Sequence, residues 1–182
     1  MAEFSTHEHG ETCNMATILK HQFQLKVINP DGSVDQDTGL IENVVTLYGI
    51  DTLMWGFSAF TGGPDAASGD KATHLGLGVG GGTSAYDDAS LGSELGDGGY
   101  ARDAFVTNVG TLEGSDRTVA STLVFTGTWA AGFVSATRLI DEIGVFNALT
   151  NGDLLAVTSF TEISVTTAQQ VDATYTISLV QA

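Results

Sequence analysis

Alternation of apolar and polar residues with a period of two constrains the fold of this chain most. In residues 118–129, threonines alternate with a face that carries Val119, Leu123, Phe125 and Trp129. Residues 171–179 alternate in the same way. Successive side chains of a strand point to opposite faces, so both segments predict antiparallel strands with one wet face. We expect the apolar face of the first to line a core with Tyr175, Ile177 and Leu179.

The rest of the chain continues this β pattern. Further strands are predicted at residues 19–27, 40–47, 73–79, 138–146 and 154–165. A turn at Pro30-Asp31-Gly32-Ser33 follows the first of them, and a short helix capped by Asp51 is predicted over residues 51–60. About eight short strands with one minor helix predict an all-β fold, an antiparallel β-sandwich or jelly roll.

The length and the N-terminal sequence predict the domain organisation. Residues 1–15 show no periodicity and predict an extended arm that orders against a neighbouring chain, with Met15 as an alternative start. Residues 16–182 are the right size for a single sandwich domain. We expect no membrane span and no signal peptide, because the chain has no run of 18 apolar residues and no basic leader. Cys13 is the only cysteine, so no internal disulfide is expected.

Charge excludes two classes of partner. The 22 acidic and 6 basic residues give a net charge of −16. Phosphate backbones and anionic membrane surfaces are bound through Lys and Arg, so we expect neither nucleic acid nor membrane as a partner. With 42% hydrophobic residues, the chain nevertheless has the composition of a folded protein. A one-signed surface indicates a saline setting or a multicopy assembly, and plain solubility is the alternative.

Motifs that would indicate chemistry are weak. Residues 76–81 satisfy the spacing G-x-G-x-x-G, but no apolar helical stripe follows to hold a pyrophosphate, so we interpret them as a strand entering a glycine-rich loop. Asp141 and Glu142 are adjacent on a predicted strand and would point to opposite faces. His7, His9 and Cys13 lack a fourth zinc ligand. The sequence therefore predicts no catalytic residue, no cofactor and no metal site.

An acidic segment leaves one alternative open. We predict that residues 80–98 form a long surface loop. Carboxylates crowd this region and the segment before it, at Asp65, Asp70, Asp87, Asp88, Glu94 and Asp97. Carboxylate oxygens suit Ca²⁺, but the D-x-D-x-D-G pattern is missing, so a solvated acidic loop is the other interpretation.

Five segments, in order, resemble a pattern of tailed-phage virion proteins. They are residues 38–53 (TGLIENVVTLYGIDTL), 72–80 (ATHLGLGVG), 88–95 (DASLGSEL) with Arg102 after them, 141–146 (DEIGVF) and 152–156 (GDLLA). The chain is similar to small phage structural proteins and, more distantly, to the baseplate-proximal N-terminal domain of contractile-phage tail fibres. Six residues, 96–101, separate Leu95 from Arg102, which is more than in the family pattern.

The resemblance implies a β-sandwich that builds or decorates a particle and is not an enzyme. Its partners would be copies of itself and other virion proteins, such as major capsid or tail proteins. It marks Gly78, Arg102, Glu142 and Gly144 as structural positions. Since Arg102 and Glu142 carry opposite charges, we predict an ion pair between them, with both side chains pointing to solvent as the alternative.

The location in the particle stays open between two interpretations. The first is a multicopy capsid decoration or other head-associated protein, favoured because no fibre repeats follow the domain. The second is a tail, baseplate or head–tail adaptor component. A carbohydrate-binding module is an alternative of another class, in which aromatic side chains would stack on sugars, with Trp55, Tyr86, Tyr100 and Trp129 as candidates.

Overall fold

The computed structural model places strands along most of the chain that it describes. The described residues are 17–47, 49–50, 72–80, 82–97, 99–104, 106–109, 121–131 and 136–181. The predicted arm, residues 1–15, and the predicted helix, residues 51–60, lie outside them. A helical turn does begin at Leu47, where the Ile50 N–H donates to the Thr46 carbonyl at 2.9 Å. No helix in the described ranges is long and apolar enough to cross a membrane.

Eleven strands are described. They are β1 (Thr17–Ile28), β2 (Val34–Asp37), β3 (Ile41–Glu42), β4 (Val44–Val45), β5 (His74–Gly78), β6 (Asp103–Ala104), β7 (Val106–Val109), β8 (Ser121–Trp129), β9 (Arg138–Phe146), β10 (Leu154–Val165) and β11 (Gln170–Gln181). The bounds of β9 and β10 are those predicted from the sequence. The tight turn between β1 and β2 is also confirmed, with Gly32 at a φ of 83°.

The strands form two antiparallel sheets. Sheet A has the order β2-β1-β11-β8-β7, with β3 also paired to β1, and sheet B has the order β4-β10-β9-β5-β6. The longest ladder joins β1 to β11, from Thr17 opposite Gln181 to Ile28 opposite Gln170. The predicted all-β sandwich is therefore confirmed.

The core lies between the sheets. Sheet A contributes a row of aromatic rings in which Tyr175 stacks on Phe23, with centroids 4.7 Å apart, and on Phe125, at 5.7 Å. Sheet B contributes Leu75, Leu77 and other buried side chains of the same cluster. The predicted core face is confirmed where the structure describes it: Phe125, Trp129 and Tyr175 are buried and Ile177 packs against them. Val119 and the side chains of Leu123 and Leu179 lie outside the described part.

The segment 40–47 is not the single strand that its sequence predicts. It forms β3, which pairs with β1 in sheet A, and β4, which pairs with β10 in sheet B. Asn43 separates the two, and its N–H donates to the His21 carbonyl at 3.2 Å. The chain crosses between sheets here because hydrogen bonds to both are available within three residues: Thr46 donates its N–H to the Leu155 carbonyl and its hydroxyl to that of Leu154.

Truncating Phe125, which lies beside the central ring of Tyr175, should be costly. Phe125 is 7% exposed and stacks on Tyr175. We expect Phe125→Ala to lower the free energy of unfolding by about 3–5 kcal/mol, because a large cavity replaces the ring. Thr126→Ala, on the opposite face of β8, should change it by less than about 1 kcal/mol. Urea denaturation of both variants checks this, and equal effects would show that the faces of β8 are assigned wrongly.

Candidate functional site

The face of sheet B that points away from sheet A is covered by the chain between β5 and β6. On β9, Ile143 and Val145 belong to the main core, so the alternate residues Glu142, Gly144 and Phe146 lie on this outer face. Leu91 of the connecting segment packs there, 3% exposed, in a second apolar cluster with Phe146, Leu154 and Val157. The segment over residues 79–102, named the clasp loop here, therefore supplies Leu91 to bury the outer face of sheet B, while its Tyr100 lies in the main core.

The clasp loop also follows the edge of β5. The Val79 N–H donates to the Ser93 carbonyl at 2.9 Å, and the Leu95 N–H donates to the Leu77 carbonyl at 2.8 Å. An isolated bridge between Gly78 and Glu94 lies between these bonds. The described residues of the predicted loop 80–98 contain no strand and are mostly exposed, as predicted, but backbone bonds and Leu91 attach the loop to the sheet, which the sequence did not predict.

Glycines on the outer face make room for Leu91. A Cβ on Gly144 would lie 2.5 Å from Leu154 Cδ1 and 3.0 Å from Leu91 Cδ2, both closer than packed atoms allow. A Cβ on Gly78 would lie 2.9 Å from Glu142 Oε2 and 3.1 Å from Leu91 Cβ. Both predicted structural glycines thus occupy positions where a Cβ atom would crowd Leu91 and a second side chain, Leu154 or Glu142, and force them to shift.

Glu142 lies beneath the clasp loop. Glu142 is 4% exposed, and its Oε2 accepts a hydrogen bond from the Gly92 N–H at 2.7 Å. Burial raises the pKa of the Glu142 carboxyl, the Gly92 N–H opposes this, and the charges of Asp141 and Asp88 raise it further. The hydrogen bond fixes the turn after Leu91 directly over the glycines.

Arg102 fastens the end of the clasp loop. Its Nε and Nη2 donate to the two carboxylate oxygens of Glu94 at 2.6 and 2.8 Å, and its Nη1 donates to the Ala148 carbonyl at 2.9 Å. The guanidinium carbon lies 3.5 Å from the centroid of the Phe146 ring. One side chain thus joins the loop to the turn between β9 and β10 through a bidentate ion pair and a cation–π contact.

The predicted ion pair between Arg102 and Glu142 is wrong. Arg102 binds Glu94, and Glu142 accepts from the backbone of Gly92. The sequence-based prediction paired the two motif residues of opposite charge, but the clasp loop supplies a partner for each of them. Glu94 and Leu91 both lie in the motif segment 88–95, so a signal for their roles was present: a leucine and a glutamate in an otherwise small and polar stretch.

The remaining motif segments pack against the same sheet. A Cβ on Gly49 would lie 1.9 Å from the Leu155 carbonyl oxygen, and one on Gly152 would lie 2.6 Å from Asn147 Oδ1. Thr46 is fully buried and bonded to the first residues of β10. All five segments, which are distant in the sequence, therefore contribute described residues to sheet B or to contacts with it, although β3 of the first segment pairs in sheet A.

Buried titratable groups elsewhere are few in the described residues. His21, 8% exposed, has its Nδ1 2.6 Å from the Tyr175 hydroxyl, and burial lowers the pKa of His21. Within the same described ranges, no group of three or more His, Cys, Asp or Glu side chains is placed to hold a metal ion.

Comparison with known proteins found no match to any protein-family model. The search of curated proteins also found no match.

The Arg102–Glu94 pair should be measurably coupled. The two side chains are 9% and 29% exposed and share two hydrogen bonds. A double-mutant cycle with Arg102→Ala and Glu94→Ala should give a coupling free energy of about 1–3 kcal/mol. The matched pair Arg138–Asp97, with one bond of 2.6 Å and side chains 32% and 70% exposed, should give less than about 1 kcal/mol. Equal couplings would contradict a special role for Arg102.

The raised pKa of Glu142 should appear in the pH dependence of stability. Since the folded protein holds this proton more tightly than the unfolded chain, the stabilisation is complete below the ordinary value of 4.5 and is lost as the pH rises through the folded pKa. The free energy of unfolding of the wild type, minus that of Glu142→Gln, should therefore fall with rising pH above 4.5. Urea titrations at a series of pH values measure it. A constant difference would mean that the carboxyl is not perturbed.

Proposed function

We propose that this protein is a non-enzymatic structural protein of a tailed-virus virion, a multicopy capsid decoration or other head-associated protein. The observation that supports the proposal is that each of the five motif segments contributes described residues to sheet B or to contacts with it. Motif glycines face close contacts there, Leu91 and Glu94 of the third segment hold the clasp loop, and Arg102 binds Glu94. Residues that resemble a virion pattern are thus the residues on which this fold depends.

The chemistry of the site supports a structural role. The most buried carboxylate of the clasp loop region, Glu142, is bonded to a backbone N–H, and Arg102 has its donors engaged by Glu94 and Ala148. General acid–base or nucleophilic work needs such groups to face a substrate. Here they face the protein's own loop, which rigidifies a surface that could carry contacts in a particle.

Multivalency supplies the binding strength that a structural protein of this kind needs. A protein present in many copies gains avidity, so no single contact has to be tight. The net charge of −16 makes neighbouring copies repel one another unless salt or a basic partner screens them. Copies of this chain and more basic virion proteins, such as the major capsid protein, are therefore the proposed partners.

The carbohydrate-binding alternative is disfavoured by the positions of its aromatic residues. Tyr100 is fully buried and Trp129 is 3% exposed, with its indole N–H donating to the Ala101 carbonyl. Trp55 lies outside the described residues. Tyr86, 61% exposed, is the candidate among the described ones that faces solvent, and stacking platforms for sugars need rings that face solvent.

Attachment to the particle should depend on salt. The screening length is about 3 Å at 1 M salt and about 30 Å at 0.01 M, so neighbouring copies repel strongly only in dilute salt. We expect the protein to stay on purified particles in saline buffer and to be released on dilution, as measured by sedimentation and quantitative gel analysis.

Each outcome of this dilution discriminates between positions. Release of this protein alone, from particles in which electron microscopy places it on the head, is the expected result. Disruption of whole heads or tails would favour a tail, baseplate or adaptor position. Full retention at low salt would contradict the charge argument, and absence of the protein from purified particles would overturn the virion proposal itself.

A further inference from the structure

A groove runs along one side of the sandwich, between the edges of its two sheets. Its volume is about 640 Å³, and its lining comes from the β2–β3 region of sheet A and from β10 of sheet B: Gln36, Asp37, Thr38, Ile41, Phe160, Thr161, Glu162 and Ile163. Ile41, Phe160 and Ile163 give it an apolar floor. Phe160 packs against the main core and Ile163 belongs to it. The groove therefore opens onto the side of the core.

The wall formed by β10 is an incompletely paired strand edge. On one side β10 pairs with β9 from Leu154 to Ser159 and again from Ile163 to Val165, with an irregularity in the register at residues 160–162. On the other side only Ala156 and Val157 pair, with β4. From Ser159 to Val165 this second edge has no strand partner among the described residues. Those seven residues span about 23 Å at 3.3 Å per residue. One of their carbonyls, that of Ser164, accepts a side-chain bond from Gln36 Nε2 at 2.8 Å.

The charge around the groove is negative. Asp37 and Glu162 lie in its lining, and Glu42 follows Ile41. The pKa of Asp37 is lowered by hydrogen bonds from Gln24 and from the Gly39 N–H, so it stays ionised. Among the described residues, Lys26 is the cation whose ion pair lies beside the groove, with its Nζ 4.0 Å from Asp37 Oδ2. An apolar floor with acidic sides suits a segment that carries both apolar and basic side chains.

Charge argues against two occupants that this chain could supply. A second copy brings a net charge of −16. Residues 1–16 carry three glutamates and neither Lys nor Arg, so the N-terminal segment does not complement the groove either. A positively charged segment of another protein complements the groove better than either of them.

We propose that this groove binds an extended basic segment of another protein, which adds as a strand to the free edge of β10 between Ser159 and Val165. The backbone of the added segment forms hydrogen bonds with the free edge of β10. One of its N–H groups replaces the Gln36 side chain as the donor to the Ser164 carbonyl. Its alternate apolar side chains lie on Ile41, Phe160 and Ile163. Its Lys or Arg side chains pair with Asp37 and Glu162. This is strand addition with charge selection. The inference stands on the groove alone and does not need the virion assignment.

The test uses the isolated full chain and a synthetic eight-residue peptide of alternating lysine and valine. In NMR titrations of ¹⁵N-labelled protein at about 0.15 M salt, the peptide should shift the amide signals of residues 36–41 and 159–165. Peptides with glutamate or glutamine in place of lysine should bind at least about tenfold more weakly. A lysine–valine peptide N-methylated at alternate residues keeps every charge but loses donors, and should lose most of the affinity.

Two protein variants with the same change of charge distinguish binding in the groove from non-specific attraction by the protein's overall negative charge. Glu162→Lys, on an exposed residue of β10, should weaken the lysine–valine peptide at least about tenfold, because the charge is reversed at the site. Asp87→Lys, on an exposed residue of the clasp loop, should weaken it less than about twofold, since the screening length is about 8 Å at this salt.

Three results would overturn the proposal. Equal binding of the acidic or neutral peptide would show that the groove does not select for positive charge. Unchanged binding of the N-methylated peptide removes the strand addition. Equal weakening by Glu162→Lys and Asp87→Lys, or shifts outside the groove, means non-specific attraction. A negative result here leaves the virion proposal untouched, because that is tested on particles by salt dilution.

Discussion

Sheet B has apolar residues to bury on both faces, and the rest of the structure depends on meeting that need. Sheet A covers one face through Leu75 and Leu77. The other face carries Phe146, Leu154 and Val157, and no third sheet is described to cover it. The clasp loop covers this face with one leucine, Leu91, because the glycines beneath leave space for it. A buried face of a few residues is small, so the bonds of Glu142 and Arg102 are needed to hold the loop in place.

The two polar side chains that hold the clasp loop, Glu142 and Arg102, act through different physical interactions. Glu142 is a buried carboxylate with a backbone donor, so its contribution varies with pH in the direction of its raised pKa. Arg102 acts through an ion pair with Glu94 and a cation–π contact with Phe146, so its contribution varies with salt and with the geometry of Glu94. The contact at Gly92, in the middle of the clasp loop, is thus sensitive to pH, and the contact at Arg102, at its end, is sensitive to ionic strength.

The sequence predicted the long strands well because their alternation is local. β9 and β10 were predicted to the residue, and Phe125, Trp129 and Tyr175 lie on the predicted face. The sequence-based prediction failed where hydrogen bonds and contacts between residues distant in the sequence determine the structure. The break at Asn43 follows from bonds to His21 and β10, and the attachment of the clasp loop follows from Leu91 meeting Gly144, 53 positions away. No periodicity in 80–98 encodes that contact, although the motif glycines and Glu142 marked where it would form.

The ladder between β1 and β11 has a mechanical consequence. Thr17 and Gln181 are direct partners, so any chain before the one and after the other leaves the domain at the same corner. Tension pulling those two ends apart would open the ladder like a zipper, breaking one residue pair at a time from that corner. Tension applied along the strands in opposite senses would instead shear many pairs together and meet far greater resistance. The domain would thus bear force well when anchored through its faces and poorly when suspended between its two ends.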